Sequence, residues 1–148
     1  MTAAALVAAL DEAKDRAARG EPGPEGVTDL VLRILIEASD TPAVLEALRG
    51  ASEGRALLRI TDAHTAILFE AGDARLNASL AGTEKAPKVD ATAATWLGLL
   101  GGTLKPWLAF TRGLVVCRAG ITELRWMQQT AERLQRGYEE ARRLESAR

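Results

Sequence analysis

The 148-residue chain has almost none of the side chains from which reactive sites are built. It carries one cysteine, Cys117, and one histidine, His64. A lone cysteine excludes an internal disulfide and fits a reducing compartment. One histidine with one cysteine cannot compose a zinc site, so no metal is expected. His64 stands two residues from Asp62 in a predicted polar turn, but no nucleophile accompanies the pair, and a plain turn role is the simpler reading. Cys117 is centred in an apolar run, where a thiol acts as a small inert core residue. The glycine-rich GLLGGTLK has neither GxGxxG spacing nor the Gly-Lys-Ser/Thr ending of a phosphate loop. No catalytic residue and no cofactor are therefore expected, and the chain reads as a binding protein, not an enzyme.

A surplus of charge is missing too. Nineteen Lys and Arg against twenty Asp and Glu leave a formal net charge of −1. Nothing in that balance recruits nucleic acid, and no polybasic cluster marks an anionic membrane. No apolar run is long enough to span a bilayer. The opening MTAAALVAAL is apolar, but Asp11 and Glu12 close the run and no basic residue precedes it. It makes a poor signal peptide, so a cytoplasmic location is expected.

What is present is ordinary core material, 47% hydrophobic, enough for one globular domain. Leu6, Leu10, Ala13 and Ala17 give a first helix over 3–19 with a narrow stripe, which suggests loose packing. GEPGPEG, at 20–26, reads as a linker. Thr28 is placed to cap a second helix with the broad face Leu30, Val31, Ile34, Leu35 and Ala38. A short third helix starts at Thr41-Pro42. From Arg55 the period changes to two: RALLRIT, TAILFE and ARLNASL read as consecutive strands of an antiparallel meander, with a fourth around Lys88 to Ala91. Ala93 to Leu100 and Pro106 to Arg112 return to helix, LVVCRA is a last strand, and 121–144 is one long helix. The fold class expected is α+β: a mostly antiparallel five-stranded sheet covered by helices on one face, with an extra N-terminal helix and a long C-terminal one.

The stretch Asp90 to Gly120 carries a distinctive order of parts. Asp90 leads into a helix with Trp96-Leu97. The turn Gly102-Thr103-Leu104-Lys105-Pro106 follows, then a short helix ending in Ala109-Phe110, then Gly113 and alternating Val115 and Cys117. In order and spacing this resembles the sterol-carrier-protein type-two domain, over roughly 27–128. Two features depart from that pattern. Ala119-Gly120 stands where the family usually has glycine-aspartate, and the C-terminal LESAR lacks the peroxisomal tripeptide of some relatives.

The resemblance implies a domain at 27–128 with a lipid tunnel between sheet and helices, flanked by a 1–19 helix, the 20–26 linker and a 129–148 helical extension. The ligand implied is a lipid or fatty-acid-like small molecule, with transient membrane contact compatible. Residues expected to line the tunnel are Ile67 and Phe69 from the sheet and Trp96, Leu100 and Leu104 from the helix and glycine turn. Trp107, Leu108 and Phe110 come from the short helix, Val115 and Cys117 from the last strand, and Leu124 and Met127 from the long helix. The same side chains packed against one another would make a solid core instead. A second reading keeps the fold as an interaction or dimerisation module, for example an accessory factor in isoprenoid-quinone or lipid metabolism. It rests on the seam Leu124, Met127, Ala131, Leu134, Tyr138 and Ala141 in the long helix. That seam either docks on the chain itself or pairs with a second copy in a homodimer.

Overall fold

A computed structural model of the chain describes residues 3–20 and 24–147. Positions 21–23, the middle of the expected linker, lie outside the described residues. Three helices come first: α1 (Ala4–Arg19), α2 (Val27–Ser39) and α3 (Pro42–Ala47). Three strands follow, β1 (Gly54–Ile60), β2 (Thr65–Gly72) and β3 (Arg75–Leu80), and then β4 (Lys88–Ala91). The chain closes with α4 (Ala93–Gly101), α5 (Pro106–Thr111), β5 (Val116–Arg118) and α6 (Ile121–Ser146).

The sheet has the order β3-β2-β1-β4-β5. β1 to β3 form the expected antiparallel meander. β4 lies on the other side of β1 and runs parallel to it, then pairs antiparallel with β5. The loop at 81–87 therefore carries the chain back past two strands, a crossover that strand alternation alone does not encode. The register sets the side chains on two faces, with Leu57, Leu68 and Val116 as apolar members of the mainly polar one. Ala56, Leu58, Ile60, Ile67, Phe69, Ala71, Leu76, Val89, Ala91 and Cys117 share one face. Arg55, Arg59, Glu70, Arg75, Asn77, Lys88, Asp90 and Arg118 share the other. The helices cover the apolar face: α2 packs on β2 and β3, and Trp126 of α6 lies against Phe69.

Two expectations about the helices are corrected. α1 is packed hard, with Leu6, Leu10 and Ala13 sealed against α4 and α2. Its stripe is narrow because the approach is close: a Cβ on Gly101 would stand 2.6 Å from the Cα of Lys14. Small residues replace a broad apolar face. Thr28 does not cap α2, whose cap position is Gly26 at φ +74. Its hydroxyl instead meets that of Thr65 at 2.6 Å, pinning the helix to β2.

α6 docks within the chain, against α3 and against α1. Its sealed residues are Thr130, Gly137, Tyr138 and Ala141; Tyr138 and Ala141 belong to the seam read in the sequence, and Thr130 and Gly137 lie beside it. Gly137 is drawn in by close approach, since a Cβ there would stand 2.9 Å from the Cα of Val44. Arg133 donates to the carbonyls of Ala47 and Arg49, and Arg142 pairs with Asp11. Burial holds the Tyr138 phenol protonated.

Candidate functional site

The apolar face of the sheet is not evenly covered. Ile60, Ile67, Phe69 and Ala91 are sealed. Leu58, in the central strand and between these residues, is only half-buried. Its neighbour across β4, Val89, and the next across β5, Cys117, are half-buried as well. Leu58, Val89 and Cys117 thus form a row of half-buried apolar side chains on the covered face, running from the central strand to the edge strand, with Leu58 and Val89 packed against the core.

Two tryptophans stand at the ends of β1. At its start, Trp126 of α6 lies over Gly54; a Cβ on Gly54 would fall 2.3 Å from the indole, so only glycine leaves room. Trp126 donates to the carbonyl of Ser52 at 2.7 Å and meets Phe69 with ring centres 6.2 Å apart and planes at 50°. At the far end, Trp96 of α4 donates to the carbonyl of Arg59 at 3.0 Å. The turn after β1 holds α4 in place, because the Asp62 carboxylate accepts from the N–H of Ala93 at 2.8 Å, and Thr92 adds a side-chain cap. His64 occupies a left-handed turn position at φ +53, in keeping with a turn role.

On the opposite face of the sheet, the same three strands are clamped by charge. Arg59 of β1 grips the Asp90 carboxylate of β4 with two N–H groups, and Nε of Arg118 of β5 donates to it at 3.1 Å. Arg59 first, and Arg118 after it, hold the Asp90 carboxyl below the usual carboxylate range, against a desolvation that pushes it up. A depressed folded-state pKa adds stability above the unfolded value near ~3.9, and that stability is lost as pH falls through the folded value. The side chain of Asp90 is 9% exposed but its partners are 36% and 63% exposed, which screens the interaction. Asp90→Asn is expected to cost about 1–2 kcal/mol at neutral pH. The gap to the wild type should close in urea unfolding as pH is lowered below about 4.

The structure divides the twelve residues singled out in the sequence. Ile67, Phe69 and Trp96 are sealed in the core. Leu100, Leu104, Leu108, Val115, Cys117, Leu124 and Met127 are half-buried. Leu104 folds back on α4, where its N–H bonds to the carbonyl of Gly98 at 3.0 Å. Trp107 and Phe110 stand in solvent, 62% and 52% exposed, so they wall no interior space. Leu58, Val89, Gly54 and Trp126 were not in that set. The signal for Leu58 was its place in the dry alternation of β1; nothing local to Gly54 indicates that an indole takes its side-chain space. Burial pushes the Cys117 thiol up, with Asp90 adding to the effect, so the thiol stays protonated and is a poor nucleophile.

Two further depressions lie elsewhere. One of about 370 Å³ is lined by residues such as Ser39, Leu45, Arg49 and Ala74. The other, about 690 Å³, lies at the sheet end among Ile60, His64, Ala66 and Leu80. None of the twelve residues lines either one. Among the described residues no group of His, Cys, Asp and Glu is arranged to hold a metal ion, and no helix is long and apolar enough to cross a membrane.

A five-stranded, mostly antiparallel sheet with one helix-covered apolar face defines a sterol-carrier-protein type-two-like fold. The crystal structure of sterol carrier protein 2 matches with a TM-score of 0.55 at 23% identity, over 78% of this chain and 95% of that one. A conserved hypothetical protein of Thermus thermophilus, described as a candidate sterol carrier protein, matches with a TM-score of 0.52 at 22% identity, over 80% and 89%. An inverting sec-alkylsulfatase from Pseudomonas sp. matches with a TM-score of 0.51 at 16% identity; 70% of this chain is covered, but the match spans 16% of the sulfatase. No protein-family model and no curated protein matches the chain.

Proposed function

We propose that the chain binds and carries a hydrophobic small molecule, a fatty acid, acyl chain or other lipid, without transforming it. The ligand lies along an apolar trough between the sheet and α4, α5 and α6, in the cytoplasm. The observation that supports this is the row Leu58–Val89–Cys117, half-buried on the covered face of β1, β4 and the edge strand β5 and backed by the Arg59–Asp90–Arg118 clamp. Leu100, Leu104, Leu108, Val115, Leu124 and Met127 are the further apolar side chains a tail would cover, with Ile67, Phe69 and Trp96 as the sealed floor and end behind it. The names of the structural neighbours point the same way.

The energetics suit a carrier. Removing an alkyl tail from water is worth about 0.8 kcal/mol per methylene, on the order of 10 kcal/mol for a long chain. A bilayer returns nearly the same amount, so an apolar trough without strong polar anchors can take up and release its cargo. The second reading, a scaffold or homodimer built on α6, has less support, since the C-terminal half of that helix is already engaged by α3 and α1.

The test is a fluorescent fatty-acid titration of the full chain, with native mass spectrometry for lipid retained on purification. The wild type should bind, and Cys117→Phe, which fills the trough at a half-buried place, should bind about tenfold or more weakly without a lower melting point. Leu80→Ala, in the 690 Å³ depression, should bind as the wild type does. A wild type that neither retains lipid nor binds the probe overturns the reading. Weakened binding in Leu80→Ala moves the ligand to the sheet end.

A further inference from the structure

α5 is mounted with its aromatic side outward. Ala109 is sealed and Leu108 half-buried, while Trp107 and Phe110, three residues apart and so on one side of the helix, are largely exposed. Three more large apolar side chains exposed to solvent follow in the sequence, Leu114, Val116 and Ile121, the last 76% exposed. Five of the eight large apolar side chains exposed among the described residues thus fall within 107–121. The charge of this region is also one-sided. From 91 to 122 the sequence has Lys105, Arg112 and Arg118 and no acidic residue. Lys105 and Arg112, which flank the aromatic pair, are exposed, whereas Arg118 is engaged by Asp90. The net charge of −1 for the whole chain hides this local excess.

We infer that α5 and the turn after it are a docking surface for an anionic lipid bilayer. Trp107 and Phe110 enter the interface, and Lys105 and Arg112 meet the headgroups. Exposed aromatics between cations are the pattern that partitions at the headgroup boundary. The surface is a convex short helix and turn, not a groove, which suits a fluid interface better than a protein ligand. A second copy of the same patch would bring like charges together, which opposes self-association. With one short helix and two cations the binding is weak and reversible, as two combined signals are needed for stable anchoring. This goes beyond the ligand reading, and adds where the molecule meets a membrane.

The experiment is flotation of the full chain with vesicles of phosphatidylcholine alone or mixed with phosphatidylglycerol, alongside Trp fluorescence with brominated lipid. The wild type should bind the mixed vesicles, release them at raised salt and show quenching. Trp107→Ala/Phe110→Ala and, separately, Lys105→Glu/Arg112→Glu should each lower the partition about tenfold, with melting points unchanged because these side chains are exposed. The inference is overturned if either double variant floats as the wild type does, or if the wild type ignores both vesicle types or binds them equally. It is also overturned if light scattering shows a wild-type dimer that Trp107→Ala/Phe110→Ala dissolves. Fatty-acid titration of the wild type without vesicles decides the ligand proposal separately.

Discussion

Gly101→Val is expected to unseat α1 and to lower the thermal midpoint by about 5–10 °C. The glycine ends α4 at the point where α1 crosses it. A Cβ there would lie 2.6 Å from the Cα and 2.8 Å from the backbone N of Lys14. Backbone atoms cannot rotate aside, so the whole helix must move. α1 buries Leu6 and Leu10 completely, and each is worth about 1.5–3 kcal/mol in the core. Part of that burial is lost when the helices separate, and overpacking of this kind typically costs about 1–3 kcal/mol. Hydrogen exchange should show α1 amides opening well before the sheet. Ala8→Val, on the exposed side of the same helix, should stay within about 0.5 kcal/mol of the wild type. A melting point unchanged by Gly101→Val would mean that α1 is dispensable to the core.

The role of α1 also shows where the sequence could be read and where it could not. Strands and helices were legible because their apolar periods are two and near 3.6, and the polar side of β3, with Arg75 and Asn77, follows directly from alternation. Glycine and alanine contribute little to such a pattern. The tight α1–α4 crossing, made by Gly101, was therefore read as a loosely packed helix, and nothing in the seam read along α6 singled out Gly137, which makes the α6–α3 crossing. In space, both glycines are where backbones touch. The parallel β1–β4 pair was hidden for a different reason: its partners are brought together by a loop at 81–87 that carries no period. α5 shows the opposite failure. Trp107 and Phe110 at a spacing of three look like a buried helix face, but Ala109 is the residue that docks, and hydrophobicity alone does not say which side of a one-turn helix faces inward. Of the trough, the covering elements were readable from their order. The half-buried row across β1, β4 and β5 was not, since it depends on the β1–β4–β5 pairing that the 81–87 loop brings about.

Trp126 holds the first turns of α6 against the start of β1, and a double-mutant cycle with Gly54 should show it. Trp126→Ala removes the indole's contact with Phe69, its bond to the carbonyl of Ser52 and the packing over Gly54. For a half-buried tryptophan this should cost about 2–4 kcal/mol. Gly54→Val alone places a branched side chain where the indole lies, with the first added carbon only 2.3 Å from the ring. The ring has to leave, and the cost should be about 2–3 kcal/mol. The two losses must not add. Once the indole is gone the space beside residue 54 is open, and valine in a strand is favoured over glycine by up to about 1 kcal/mol. Gly54→Val should therefore be neutral or stabilising in the Trp126→Ala background, giving a coupling of about 2 kcal/mol or more in urea unfolding of the four proteins. Additive losses would show that Trp126 does not depend on the missing side chain. The first turns of α6 would then owe their place to the reach of Glu123 back to the N–H of Gly120 at 2.8 Å, and the end wall of the trough would be free to move.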